Sequence, residues 1–397
     1  MKYNFDENVN RRGTYSMKWD GGELFKDFGM DVDFNEKTIP IFTADMDLAC
    51  PQPVIDALHA VVDHRIFGYT SDRCEPKYRQ AIIRWFKDHH NWDIKEEEIL
   101  YVNGTVEALN IAVRCYTKEG DGILITRPVY GPFTMAIENN GRKVVNSQML
   151  CSDGYYTMDF DDIEQKAKDP NTTMFILCSP HNPTGRVWTP EELQQLAAIC
   201  KRNNVILVTD EVHCDILRKG VVHQPVASVV EDTSNIITLT AVNKTFNLAG
   251  LQCSNAIIPN AALRETYQKA LGMRSPTPFA IAALIAAYTE GDEWLAQVNE
   301  YIDGTMDWVL DFMAKEMPKV KIRKPEGTYV LWMDFRAYGL TADEIHDKIY
   351  KKANVVLEGG GMFDPDNGAG FERVCLPSPR PLIQEAFQRI AAEFKGL

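Results

Sequence analysis

The 397-residue sequence predicts an α/β protein, in which a large domain with a mostly parallel sheet flanked by helices is joined to a smaller α+β domain. Three observations lead there. Four short, continuous apolar runs, GILIT (122–126), MFILC (174–178), VILVT (205–209) and IITLT (236–240), read as strands buried on both faces. Longer amphipathic runs such as TPEELQQLAAICKRNN (189–204) lie between them, and a repeated strand–helix–strand order makes a parallel sheet. After about residue 290 the pattern changes to a long amphipathic segment and then an alternating run, TYVLWMDF (328–335).

The opening stretch, MKYNFDENVNRRGTYSMKWD, is polar and charged, with no apolar core of the signal-peptide type. Residues 1–45 are expected to join residues 291–397 in the small domain, leaving 46–290 as the large one. In YVNGTVEALNIAVRCYTKEG, Gly104 and Thr105 open a helix whose apolar positions 108, 111, 112 and 115 share one face. Thr189 is the expected N-cap of the 189–204 helix, with Pro190 at its first helical position. The longest apolar stretch, FAIAALIAAY (279–288), is far short of the ~20 residues that span a bilayer. The segments GDEWLAQVNEYIDGTMDWVLDFMAKEM and TADEIHDKIYKKA read as helices, Gly359–Gly361 as a flexible loop, and the chain closes on a last helix. Trp85, Trp92, Trp294 and Trp308 sit on helical patterns and are expected in a core or an interface. No internal repeat or low-complexity linker interrupts this order.

Composition narrows the function. The chain is 45% hydrophobic and 25% charged, with a formal net charge of −14. That balance argues against a nucleic-acid or anionic-membrane surface, both of which call for clustered Lys and Arg. Nine scattered cysteines with no C-x-x-C pair form neither a disulfide framework nor a zinc ribbon, so a reducing cytoplasm is the expected compartment.

Ligands of open α/β sheets bind outside the carboxyl ends of the strands, so the residues just after each strand carry the functional signal. GILIT leads to Tyr130, MFILC to Asn182, VILVT to Asp210 and IITLT to Lys244. The glycine turn at Gly104 and Thr105 adds free backbone N–H groups and the positive end of a helix dipole, a ready anion site. An amine, a carboxylate, an amide, an aromatic ring and an anion cradle suit a phosphorylated aromatic aldehyde. Lys244 would hold it as a Schiff base, Asp210 would keep its ring nitrogen protonated, Asn182 would bond its ring hydroxyl and Tyr130 would stack on its face. That cofactor is pyridoxal 5′-phosphate.

The motifs SPHNPTGRVW, TDEVHCDI and NKTFNLAGL resemble those of fold-type-I pyridoxal-phosphate enzymes of the class I/II aminotransferase superfamily. Within it, ADMDLACPQPVIDAL, FGYTSDRCEPKYRQAIIRWFKDHHNW and PEGTYVLWMDF resemble the MalY/PatB branch of cystathionine β-lyase-like carbon–sulfur lyases. The resemblance runs from about residue 35 to the C-terminus. It implies a seven-stranded large-domain sheet, Lys244 as the cofactor lysine, and Gly104, Thr105 and Val106 as the phosphate turn. It implies too that Tyr69 reaches the phosphate of a neighbouring subunit, making a homodimer with shared sites, and that Arg380, rather than Arg373, clamps the substrate α-carboxylate. Four positions depart from the pattern: Asn243 where a serine that bonds the phosphate is usual, Ser179, Asp364, and Cys375 where an asparagine is usual.

The implied reaction is β-elimination on L-cystathionine or a related S-substituted cysteine, giving thiol, pyruvate and ammonia. Two rivals use the same residues, an aminotransferase and a regulatory protein that merely binds the cofactor. His181 and His213 lie near Asp210 and Glu211, but no H-E-x-x-H or other tight ligand spacing is present, so no metal is expected. His213 is instead expected to support Asp210.

Overall fold

The structure, a computed structural model, describes residues 1–27 and 31–397. Helices α1 (Gln52–His64) and α2 (Pro76–His90) lead to the first strand of the large sheet, β1 (Ile99–Val102), which runs into helix α3 (Thr105–Tyr116). Next come β2 (Gly122–Ile125), β3 (Lys143–Asn146), β4 (Thr172–Cys178), helix α4 (Pro190–Arg202), β5 (Ile206–Asp210), β6 (Ile236–Ala241) and β7 (Ser254–Ile257). They form one seven-stranded sheet in the order β1-β7-β6-β5-β4-β2-β3. Only β7 runs against its neighbours, pairing antiparallel with both β1 and β6.

The continuous apolar runs are explained by burial on both faces. Ile123, Ile125, Met174, Ile176, Val208, Ile237 and Leu239 pack with Ala108, Leu109 and Ala112 of α3. The alternating residues Leu124, Phe175, Leu177, Leu207 and Ile236 face the other core, with Leu193 and Leu196 of α4. Each such side chain, fully buried, contributes roughly 1.5–3 kcal/mol. Helix α4 begins as its sequence dictates: Thr189 Oγ1 accepts from Glu192 N at 3.2 Å, and Glu192 Oε2 accepts from Thr189 N at 2.8 Å. Cys115, expected on the buried face of α3, is only half-buried.

After helix α5 (Pro278–Glu290), α6 (Asp292–Glu316) leads to a second, antiparallel sheet. Its strands are β8 (Lys321–Ile322), β9 (Val330–Asp334), β10 (Glu358–Gly359) and β11 (Phe371–Cys375), in the order β8-β9-β11-β10, and α7 (Arg380–Glu393) closes the chain. Ile39–Pro40 pairs in parallel with Val355–Val356, which fastens the N-terminal segment to this second unit. On that pairing we propose the division into 46–290 and 1–45 with 291–397. The TADEIHDKIYKKA helix is α-helical over Ala342–His346 and continues with π-helical bonding over Asp347–Lys352.

The glycines at 359–361 are not the loose loop expected of them. Gly359 belongs to β10, and Gly360–Met362 makes a tight 3₁₀ turn. A Cβ on Gly360 would meet the Gly368 carbonyl at 2.2 Å and Phe371 Cβ at 2.7 Å, so close packing rather than freedom requires glycine there. The turn delivers Phe363, whose carbonyl accepts from Val129 N at 3.0 Å beside Tyr130.

Candidate active site

The carboxyl edge of the large sheet collects the strand-end residues. Asp210 is the last residue of β5, and Asn182 follows β4 by four positions. Lys244 stands on a one-turn helix, Val242–Thr245, formed directly after β6. Its Nζ donates to the Ala44 carbonyl at 2.7 Å, an acceptor it shares with the Tyr329 hydroxyl at 2.8 Å. Burial pushes this amine below the ordinary lysine range, while Asp45 pulls it back and Arg373 adds to the fall.

Asp210 is 3% exposed, and burial pushes its carboxyl up to about 7, against the Val212 N–H and the Lys244 charge, which lower it. Its Oδ1 is buried without a partner among the described residues. An orphaned carboxylate oxygen at a strand end is costly unless a donor arrives. The charged ring N–H of pyridoxal phosphate is such a donor. Asn182 Oδ1 accepts from Arg373 Nη1 at 3.1 Å, which turns the amide so that Nδ2 is the end left to donate. Gly104 caps α3 in extended conformation with no side-chain cap, and a Cβ there would meet nothing within 4 Å. Open space at a helix start whose Thr105 and Val106 N–H groups have no partner among the described residues fits a phosphate. Tyr130 is half-buried edge-on to Phe133, with burial holding its hydroxyl up at about 12. The donor set therefore fits the cofactor.

Several expectations need correcting. Arg380 does not turn toward these residues: its Nε donates to Thr305 Oγ1 and its Nη2 to the Tyr301 carbonyl, both at 3.2 Å on α6, with its guanidinium 4.8 Å over the Tyr301 ring. The guanidinium beside Asn182 is that of Arg373, 2% exposed, which pairs with Glu358, donates to the Phe42 carbonyl at 3.0 Å and leaves Nε without a partner among the described residues. Arg373 sits at the centre of the fully buried strand FERVC, where an arginine is rare unless paired. Asn243 serves its own loop, with its amide 3.1 Å from the Leu248 and Cys253 carbonyls. His213 makes no hydrogen bond to Asp210 among the described residues; it lies edge-on to Tyr329, and burial keeps it neutral by pushing its pKa down to about 3. Asp364 caps its own turn through the N–H groups of Asp366 and Asn367, and the Cys375 thiol donates to the Phe42 carbonyl at 2.7 Å. Ser179 Oγ is buried without a partner among the described residues. Tyr69 lies apart from this group and is fully exposed, beside exposed Ile66 and Phe67.

Sequence reasoning missed the wall built by the N-terminal segment. Lys18 is wholly buried, donating to Asp47 Oδ2 at 2.6 Å; Arg11 pairs with Asp45 at 2.8 Å and Asp47 at 2.7 Å. Asn247, three residues beyond Lys244, donates to the Met46 and Leu48 carbonyls. Arg11 and Lys18 on one side and Asn247 on the other thus fix the segment carrying Ala44. Of the tryptophans, Trp85, Trp92 and Trp294 are buried, and Trp308 stacks on Phe312 at 4.9 Å.

Comparison with known proteins shows the family and the fold. Residues 42–390 match the family described as aminotransferase class I and II. The chain is 40% identical over 394 residues to cystathionine beta-lyase PatB of Bacillus subtilis (strain 168), covering 98% of this chain and 99% of that one. It superposes with a TM-score of 0.93 on cystalysin of Treponema denticola, a structure containing pyridoxal 5′-phosphate, at 36% identity over 100% of this chain and 99% of the other. A pyridoxal-phosphate-bound C-S lyase from Staphylococcus hominis gives a TM-score of 0.91 at 34% identity, over 100% and 99% of the two chains. No helix of the described residues is long and apolar enough to cross a membrane.

Proposed function

The chain belongs to the aminotransferase class I and II family, and within it we propose a pyridoxal-phosphate-dependent carbon–sulfur β-lyase. Its substrate would be L-cystathionine or a related S-substituted cysteine, and its products a thiol, pyruvate and ammonia. The observation that carries the reading is the pair of buried groups at adjacent strand ends, the Lys244 amine and the Asp210 carboxylate with its unpartnered oxygen. The likeness to the Bacillus subtilis lyase and the Staphylococcus hominis C-S lyase supports elimination over transfer.

When bound, pyridoxal phosphate supplies an aldehyde that condenses with amines and a protonated ring that accepts the electron pair released at the substrate Cα. The chain's own residues do the rest. The N–H groups of Gly104, Thr105 and Val106 would hold the phosphate, Tyr130 would cover one ring face, Asn182 Nδ2 would donate to the ring hydroxyl, and Asp210 would keep the ring nitrogen charged. Arg373, whose Nε has no partner among the described residues, takes the place expected of Arg380 and would offer that N–H and its charge to the substrate α-carboxylate. Lys244, its proton loosened by burial, would take the Cα proton as general base; the pair left on Cα forms a Cα=Cβ bond as the C–S bond breaks and the thiolate leaves, and water hydrolyses the released enamine to pyruvate and ammonia.

We also propose a homodimer. Val62, Ile66, Phe67 and Tyr69 are exposed together, with Phe67 stacked on Phe279 at 5.6 Å. Several large apolar side chains exposed so near one another in the chain suit an interface. A second copy seated there would bring its Tyr69 to this chain's phosphate turn.

The test is a panel of amino acids assayed for pyruvate with and without a 2-oxo acid. Pyruvate and thiol from L-cystathionine without acceptor support the lyase. Turnover that requires 2-oxoglutarate and releases no thiol would establish the aminotransferase instead. Alanine and aspartate, which lack a leaving group at Cβ, should give at most a slow half-reaction.

A further inference from the structure

Behind the lysine and the aspartate lies a second set of charged groups that substrate does not touch. His90, at the end of α2, is buried with Nε2 2.8 Å from Asp215 Oδ1 and Nδ1 3.2 Å from the His223 carbonyl. Both neighbours only accept when Asp215 is ionised, so both ring nitrogens carry protons and His90 is an imidazolium. Asp215 is kept ionised by its other partners, for Trp85 Nε1 donates to Oδ1 at 3.1 Å and Thr245 Oγ1 donates to Oδ2 at 2.7 Å. Thr245 is the residue next to Lys244.

The chain of contacts continues the other way. His223 Nε2 lies 3.0 Å from Glu211 Oε2, and the other Glu211 oxygen accepts from Thr209 Oγ1 at 2.9 Å and from Val226 N at 3.0 Å. Glu211 is the residue next to Asp210. Two histidine–carboxylate pairs therefore connect the residue after the lysine to the residue after the aspartate, entirely within the protein. His90, Cys214 and Asp215 are near enough to one another to suggest a metal, but both His90 nitrogens are committed as donors and leave no lone pair for one.

We propose that the His90–Asp215 ion pair is a positioning element for Lys244. By gripping the Thr245 hydroxyl it fixes the single turn Val242–Thr245, and with it the line along which the amine enters the site. That turn gains from an external hold, since one turn of helix fixes several dihedrals for few backbone bonds, here Phe246 N to the Val242 carbonyl at 3.1 Å and Leu248 N to the Asn243 carbonyl at 2.9 Å. Apolar residues of the same volume would fill the space without the cost of burying two charges, so filling space does not account for the pair.

The inference rests on the reading of Lys244 as the cofactor lysine, and the experiment separates the two. Thr245→Val keeps the shape and deletes the hydroxyl; Thr245→Ser keeps the hydroxyl. In the holoenzyme, Thr245→Val should lower kcat about tenfold or more while KM changes less than about threefold, because a misaimed base costs the chemical step rather than binding. The visible cofactor band should also decay about tenfold faster on dilution, and Thr245→Ser should restore both values to within about threefold of the parent. A Thr245→Val enzyme with parental kcat and band lifetime, even at a lower melting temperature, would make the pair a structural brace only and overturn the proposal. Should Thr245→Val not fold, Asp215→Asn is read the same way. Borohydride fixing the cofactor to a lysine other than Lys244 would overturn the functional reading itself, whatever these rates show.

Discussion

Arg373 Nη1 donates to Asn182 Oδ1 at 3.1 Å, joining residues 191 positions apart, one on the small sheet and one beyond β4 of the large sheet. The bond orients the amide and sets beside it a buried guanidinium whose Nε has no partner among the described residues. Arg373→Lys loses the planar fork and should raise KM for the amino acid roughly tenfold to a hundredfold, the scale of a lost charged hydrogen bond. Arg380→Lys should change KM less than about twofold and act on the melting temperature instead, since its contacts are with α6. Steady-state kinetics of the two variants decide the matter; a large KM effect confined to Arg380→Lys would return the carboxylate to that residue.

Lys244 is the expected anchor of the cofactor. The purified holoenzyme should be yellow, and borohydride should fix a pyridoxyl group on the peptide containing Lys244. Lys201, exposed at the end of α4 and paired with Asp232 at 2.9 Å, should carry none. Peptide mapping after reduction checks this, and Lys244→Ala should abolish turnover while leaving the fold intact.

Asp210 gives a pH prediction. Burial raises its carboxyl to about 7, above the ordinary carboxylate range, so between roughly pH 4 and 7 the folded chain holds a proton that the unfolded chain has lost. Stability of the cofactor-free protein should therefore fall as pH rises through that window and level off above it. Asp210→Asn should remove this fall, stabilising the cofactor-free protein at pH 8 by on the order of a few kcal/mol. The same variant should retain little activity, because a neutral amide cannot hold the ring nitrogen charged. Denaturant melts across pH, with and without cofactor, test both halves.

Sharing of sites between two copies predicts complementation. Lys244→Ala chains mixed with Tyr69→Phe chains should show more activity than either alone, because one site in each mixed dimer regains both parental groups. No gain, once subunit exchange is shown by mass, would confine Tyr69 to its own chain or remove it from the site.

The residues of this site divide by how far apart in the chain their partners lie. The sequence by itself determined the parallel strands of the large sheet, the capped helix at Thr189, the glycine start of α3 and the placing of Tyr130, Asn182, Asp210 and Lys244 at strand ends. These are local consequences of burial on both faces, of capping chemistry and of the rule that strand ends open into loops. Tertiary structure alone decided that Arg373 and not Arg380 faces Asn182, because that depends on how the small sheet docks, not on spacing within FERVC or PSPR. It decided too that Asn243 turns to its own loop and His213 to Tyr329. The His90–Asp215 pair spans 125 positions. A histidine near the end of an amphipathic helix carries no signal of it, for its charge is set by a carboxylate and a carbonyl that only the folded chain brings to its two nitrogens.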